Sequence, residues 1–279
     1  MSANLSRVVR VARDYYNSSD ADRFYNDIWG GEDIHIGVYL DADEPIRAAS
    51  ERTVALMAAQ IGKLGPETRL IDLGAGYGGA ARWLARNSGC HVTCVNLSEI
   101  QNDRNRELTA AAGLGDRIRV IDGSFEQIPD EDASYDVAWS QDSILHSGDR
   151  ARVLDEIDRV LKPGGQVIFT DPMQADDCPP GVLAPVLQRI HLDSLGSIGF
   201  YRAGAAERGW KECSVLEMTH QLVRHYTRVR EELMARRWQM NHRVSAEYVE
   251  RMIDGLGHWI AAGQKRHLSW GILHFQTKA

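Results

Sequence analysis

The stretch LIDLGAGYGG, residues 70–79, constrains this chain more than any other. An apolar run that fits a strand carries Asp72 and ends at Leu73. Gly74, Gly76, Gly78 and Gly79 follow within six positions, and AARWL then continues in helical spacing. Strand, glycine turn and helix in that order build a nucleotide-type pocket at the C-terminal end of a parallel strand. Glycine lacks Cβ, so the turn can be tight and a ligand can touch the backbone.

The surrounding pattern supplies the sheet. Apolar spacing predicts a helix over 45–64, then strands over 70–73, 91–96, 118–121, 135–140 and 166–170. Helices are expected from 79, over 98–112 and over 150–161, and Lys162-Pro163-Gly164-Gly165 supplies a turn. Such alternation means an α/β fold with a doubly wound, mostly parallel sheet. Residues 171–209 break the rhythm with prolines and glycines and read as an inserted cap. A sixth strand is expected over 210–220, helix over 222–262, and a last, antiparallel strand over 269–277. The first 50 residues interleave Tyr15, Tyr16, Phe24, Tyr25, Trp29 and Tyr39 with Asp, Gly and Asn. They form an aromatic arm, which suits a structural brace and a ligand lid equally.

Charge and cysteine usage narrow the classes. A net charge of −7 argues against nucleic acid as a partner. The arginine-rich run 224–237 is interrupted by Glu231 and Glu232 and reads as a solvated helix face. Cys90, Cys94, Cys178 and Cys213 form no CxxC pair, so neither a metal site nor a disulfide framework is indicated. The N-terminus has no apolar leader, and no window approaches the ~18 apolar residues of a membrane span. The expectation is a reduced, cytoplasmic protein with no membrane partner.

GAGYGG matches the bare dinucleotide pattern GxGxxG, yet two features decide against NAD. Asp72 stands inside the strand where dinucleotide folds carry apolar residues, and the second strand ends in Asn96 where a ribose-binding carboxylate is wanted. DLGAGYGG, IDGSFEQIP and RVLKPGGQVIFTD together resemble class I S-adenosylmethionine-dependent methyltransferases, over roughly 68–171. FYNDIWGGEDIHIGVY, VNLSEIQNDRNRE, WSQDSILHSGDR, TDPMQAD, HLDSLGSIGFYR and HWIAAGQKRHLSWGILHF extend the likeness over nearly the whole chain. They are similar to the sarcosine/dimethylglycine N-methyltransferases that make glycine betaine. A more distant likeness to phosphoethanolamine methyltransferases lies in 140–146.

That resemblance implies a seven-stranded, Rossmann-like sheet in a single domain, 1–279. Its parts are an arm or lid (1–50), a cofactor-binding core (51–172), a substrate cap after strand five (173–209) and C-terminal strands and helices (210–279). It implies S-adenosylmethionine as cofactor, leaving as S-adenosylhomocysteine. Asp72, Gly74, Ala75, Gly76 and Gly78 would lie against its methionine part, with Asn96 at the ribose and Leu97 and Gln101 also binding the cofactor. Asp122, Ser124 and Phe125 would lie at the adenine and Gln141 under the sulfonium. An amide at Asn96 keeps a donor and an acceptor there without charge. His146 after the fourth strand is the catalytic candidate, as general base or as a substrate-site residue, and Tyr16 matches the tyrosine that works with it in the phosphoethanolamine relatives. A small amino-acid substrate wants a cation and aromatic faces; Arg189 or Arg202, with Tyr25, Trp29 and Tyr201, offer them. His35 and His191 are weaker candidates. The runner-up readings are a methyltransferase of another small amine such as phosphoethanolamine, and a non-catalytic S-adenosylmethionine-binding protein. The oligomeric expectation is a monomer or homodimer.

Overall fold

The computed structural model describes residues 7–29, 31–190, 192–240 and 244–279. Helices α1 (Arg7–Tyr16) and α2 (Ser19–Phe24) run into a π-helical turn, Tyr25–Trp29, and α3 (Ile46–Ile61) precedes the sheet. Then come β1 (Arg69–Leu73), α4 (Gly79–Ser88), β2 (His91–Asn96), α5 (Glu99–Ala111), β3 (Ile118–Asp122) and β4 (Tyr135–Gln141). A 3₁₀ turn, Ile144–His146, leads to α6 (Arg150–Val160) and β5 (Leu161–Thr170). The remainder is β6 (Met173–Gln174), α7 (Ala184–Ile190), α8 (Ile198–Glu207), β7 (Lys211–Glu217), α9 (Thr219–Ala235), α10 (Arg237–Met240), α11 (Ala246–Gln264), β8 (Leu268–Ser269) and β9 (Gly271–Gln276).

Seven strands form one sheet in the order β3-β2-β1-β4-β5-β9-β7, with β9 antiparallel to both neighbours. Successive residues of each strand serve opposite faces. Leu70, Val92, Trp139, Ile168 and Ile272 pack under α3 and α4, while Ile71, Leu73, Val95, Phe169 and Leu273 pack under α6 and α8. Both faces are therefore dry, which is why these strands read as apolar runs. Strand order reverses between β1 and β4, so the glycine turn and the segment after β4 open onto one crevice.

Local signals explain the element ends. Ser98 and Asp149 cap α5 and α6 by accepting from Gln101 N and Arg152 N. Gly89, at φ +73°, closes α4 in the left-handed region. The Lys162–Gly165 turn lies inside β5 as an irregularity, because Leu161 already pairs with Tyr135 across a register shift. The helix expected over 222–262 begins earlier, at Thr219, and is divided into α9, α10 and α11.

The cap differs from the expected 173–209. Helix α8 sits on the sheet, with Tyr201 and Ala205 in the core beside Phe169 and Leu154. It is the crossover cover between β5 and β7. The lobe above the crevice is built from α7, the first helix of that segment, together with the arm, α9 and α11; Phe24, Trp29, Val186, Val229, Leu256 and Trp259 share one apolar cluster. Among the described residues no helix is long and apolar enough to cross a membrane, and no cluster of His, Cys, Asp and Glu could hold a metal.

Candidate active site

The glycine turn is shaped by contacts that only glycine allows. Gly74 N and Ala75 N donate to Val95 O at 2.8 and 3.4 Å, folding the turn over the end of β2. Gly74 has φ +79°, and a Cβ there would overlap Ser143 Oγ. Ser140 Oγ and Ser143 Oγ both donate to Leu73 O, at 2.8 and 2.7 Å, tying the segment after β4 to the end of β1. The arm closes the other side. Ile34 Cδ1 stands 3.2 Å from where a Cβ on Gly76 would be, and Asp33 leaves no room for one on Gly79. Glu32 fixes the arm through Arg82 at 2.6 Å, a buried guanidinium that also donates to Asn105.

Along this cleft the polar groups are only partly satisfied. Asp72 is 4% exposed; burial pushes its carboxyl up to about 7, with His35 opposing and Asp33 adding to the rise. Asn96 Nδ2 donates to Gln101 Oε1 at 3.0 Å, and Leu97 is partly buried beside it. Asp122 accepts from Asn102 Nδ2 and Arg106 at 2.8 and 2.7 Å. Burial works against its ionisation, and those bonds outweigh it, holding the carboxyl below its ordinary value. Ser124 Oγ accepts from Glu126 N, and Phe125 lies near Gly74. Gln141 Oε1 accepts from Trp139 Nε1 at 3.0 Å. The amide nitrogens Nε2 of Gln101 and Gln141 are buried with no partner among the described residues. Orphaned donors of that kind call for a ligand or water. An acid, a bare backbone turn and two free amides fit a cofactor bearing an ammonium, a carboxylate and ribose hydroxyls.

Next to the cleft lies a cavity under the cap. It leaves about 60 Å³ open to the centre of a water-sized sphere, against the ~10–15 Å³ that one water needs by that measure. That space suits a ligand of a few heavy atoms. Tyr16, Tyr25, Trp29, Tyr226 and Trp259 form most of its wall, with His146, Asp142 and Arg189. The Tyr16 hydroxyl meets His146 Nε2 at 2.9 Å, and the rings are perpendicular with centroids 5.4 Å apart. Burial, then the charges of Arg150 and Arg189, push His146 down to about 4. That value favours the neutral imidazole, the form that can accept a hydrogen bond at one ring nitrogen. With its proton on Nδ1 it accepts from the Tyr16 hydroxyl, whose own ionisation burial suppresses.

Arg189 is the cation the cavity offers. No carboxylate lies within 4 Å of it among the described residues, and its Nε is buried without a hydrogen-bond partner. Nε1 of Trp29 and of Trp259 is likewise unpartnered there. Three donors without acceptors thus belong to residues around one small space.

Two expected site residues lie elsewhere. Arg202, on the outer side of α8, makes a two-pronged pair with Glu212 of β7 at 2.8 and 2.9 Å, and half its side chain is exposed. It neither lines the cavity nor lacks a partner, so the expectation that it meets substrate is corrected. Tyr201 is buried against Phe169 and donates to Asp171 at 2.6 Å. Asp171 in turn accepts from Leu145 N at 3.0 Å, so Tyr201 braces the turn that carries His146 rather than touching a ligand. His35 Nε2 lies 3.6 Å from Asp33, whose nearby negative charge outweighs burial and raises the His35 pKa. His191 falls outside the described residues.

Sequence reasoning passed over Asp142, Tyr226 and Trp259. Asp142, at φ +51°, accepts from Ile36 N and Trp270 Nε1 at 2.6 and 2.7 Å and so joins the arm to the residue before β9. An acid directly after the fourth strand was its signal. Tyr226 and Trp259 sit on helices whose apolar faces read as ordinary core.

The fold and the cleft define a class I S-adenosylmethionine-dependent methyltransferase. A methyltransferase-domain family model matches residues 71–169. The chain is 57% identical to the sarcosine/dimethylglycine N-methyltransferase of Aphanothece halophytica, over 96% of this chain and 97% of that one. It is 50% identical to the dimethylglycine N-methyltransferase of Parasynechococcus marenigrum, over 95% of each. A crystal structure from Galdieria sulphuraria, assigned as a sarcosine dimethylglycine methyltransferase, matches with a TM-score of 0.90 at 44% identity, over 95% of this chain and 99% of that one. The chain belongs to the sarcosine/dimethylglycine N-methyltransferase family.

Proposed function

We propose that this chain methylates the amine nitrogen of sarcosine and of N,N-dimethylglycine, toward glycine betaine, with Arg189 holding the substrate carboxylate. The carrying observation is the unpaired Arg189 guanidinium beside a cavity sized for a few heavy atoms. S-adenosylmethionine supplies an electrophilic methyl group on a sulfonium when bound. Asp72 and the glycine turn would hold its methionine part, Asn96 and Gln101 its ribose, Asp122, Ser124 and Phe125 its adenine, and Gln141 would supply an amide toward the reacting end.

The chain's own groups do the rest by positioning. Direct displacement needs a neutral amine in line, at ~3–3.5 Å. The positive charge of the partly buried Arg189 disfavours a protonated amine beside it, so the amine enters in its neutral form with its proton left to solvent. Tyr16, Tyr25, Trp29 and Tyr226 turn aromatic surface to the ammonium as it forms, worth ~0.5–2 kcal/mol each; it is quaternary from dimethylglycine, and from sarcosine it is tertiary and gives up its proton to solvent on release. His146 fixes the Tyr16 hydroxyl.

Two measurements bear on this. The value of kcat/KM should favour dimethylglycine over N,N-dimethylaminoethanol, which lacks the carboxylate, by about 100-fold or more, as a site with buried donors rejects a ligand that leaves them unpaired. Equal values for the two amines would sink the carboxylate reading. A neutral His146 also means that kcat has no inflection near pH 6.5 traceable to it. Tyr16→Phe should lower kcat by about tenfold without adding one, within the range expected for losing one positioned polar group. An inflection near neutrality that vanishes in His146→Asn would restore the general base.

A further inference from the structure

Arg189 lies on α7, and its stem crosses the neighbouring helix α11 at Gly255. A Cβ on Gly255 would overlap Arg189 Cδ and stand 2.8 Å from its Nε and 3.1 Å from its Cγ. Arg189 NH2 lies 3.7 Å from Met252 Sδ, one turn back on the same helix. The same arginine borders two spaces: the inner cavity, and an outer groove between α1, α7 and α11 that Gly255, Met252 and Tyr248 also line. Glycine in mid-helix costs about 0.5–1 kcal/mol relative to alanine. Gly255 is not in the left-handed region, so its backbone does not require glycine. What requires it is the arginine lying flat against the helix.

We propose that Gly255 is a specificity-determining position: its missing side chain is what lets the Arg189 guanidinium reach the inner cavity, and so what makes the site take an amine that carries a carboxylate. This rests on the carboxylate role given to Arg189 above. A methyl group at 255 lifts the stem off α11 and turns the guanidinium toward the outer groove, whose wall carries Asp254 beside Arg251, Asp14 paired with Arg13, and Asp20 accepting from Ser245. The cavity then keeps its aromatic walls but loses its cation.

Four proteins test this: the parent, Gly255→Ala, Arg189→Ala and the double variant, each with S-adenosylhomocysteine affinity and melting temperature measured beside the kinetics. Gly255→Ala should raise the KM for dimethylglycine at least tenfold, with kcat within twofold and cofactor affinity unchanged. Its preference over N,N-dimethylaminoethanol should fall by a similar factor. In the Arg189→Ala background the same substitution should add nothing, because the overlapping stem is gone. If Gly255→Ala fails to fold, the double variant should fold and match Arg189→Ala in KM. Additive effects in the double variant, or an unchanged KM in Gly255→Ala while Arg189→Ala raises it, would overturn the inference about Gly255. An unchanged KM in Arg189→Ala alone would instead overturn the carboxylate reading beneath it.

Discussion

Arg189→Ala should lower kcat/KM for dimethylglycine by about 30- to 1000-fold, carried mainly by KM, while S-adenosylhomocysteine affinity stays within twofold. The size follows from removing one partner of a desolvated, hydrogen-bonded charge pair, which costs about 2–4 kcal/mol, at about 1.4 kcal/mol per decade. The carboxylate would be left in a cavity whose other donors, the Trp29 and Trp259 indoles, are neutral. A lost interaction of this kind acts on substrate and transition state alike, so KM moves more than kcat. Arg202→Ala is the matched control. Its guanidinium is engaged by Glu212 on the far side of α8, and an exposed pair contributes ~0–1 kcal/mol. Initial rates over a range of dimethylglycine at saturating S-adenosylmethionine separate the two. If Arg202→Ala produced the larger KM change, the assignment of the anchor would be reversed.

Asp72→Ala should weaken S-adenosylmethionine binding by about 2–5 kcal/mol, the cost of truncating a buried charged partner. The acid is 4% exposed and its carboxyl is lifted to about 7, first by burial. A cofactor ammonium favours the ionised form, so the bound protein has a lower Asp72 pKa than the free one. The sign follows: affinity is full above about pH 7 and is lost as pH falls through that value, by at most tenfold per pH unit. The same raised carboxyl makes the ligand-free fold relatively more stable on the acid side, where the buried group is neutral. Titration calorimetry with S-adenosylhomocysteine from pH 6 to 8.5 reads the first effect. An affinity that is flat over that range, in the parent and in Asp72→Asn alike, would remove Asp72 from the cofactor contact.

How far the sequence carried these conclusions differs between the two halves of the site. The sheet was legible because its strands are dry on both faces and are separated by local turn signals such as Gly89 and Lys162–Gly165. The cofactor cleft was legible for the same reason. Its parts follow consecutive strands, so Asp72, Asn96, Asp122 and Gln141 fall at strand ends fixed by the alternation itself. The cavity proposed for the substrate has no such address. Its walls come from α1, the turn Tyr25–Trp29, the turn after β4, and helices α7, α9 and α11, and only packing brings them together. Arg189 and Arg202 stand thirteen positions apart in one irregular stretch and look equivalent as letters. They differ in what faces them: one meets Gly255 and an open cavity, the other meets Glu212. Gly255 itself reads in sequence only as a weak spot in a helix. Its meaning depends on a side chain sixty-six residues earlier.

The most direct test of the central claim is turnover of dimethylglycine by the purified chain with S-adenosylmethionine, read by mass, with phosphoethanolamine in a parallel reaction. The expected result is glycine betaine and S-adenosylhomocysteine in equal amounts, with no methylated phosphobase. Methylation of phosphoethanolamine without any of dimethylglycine would contradict the account.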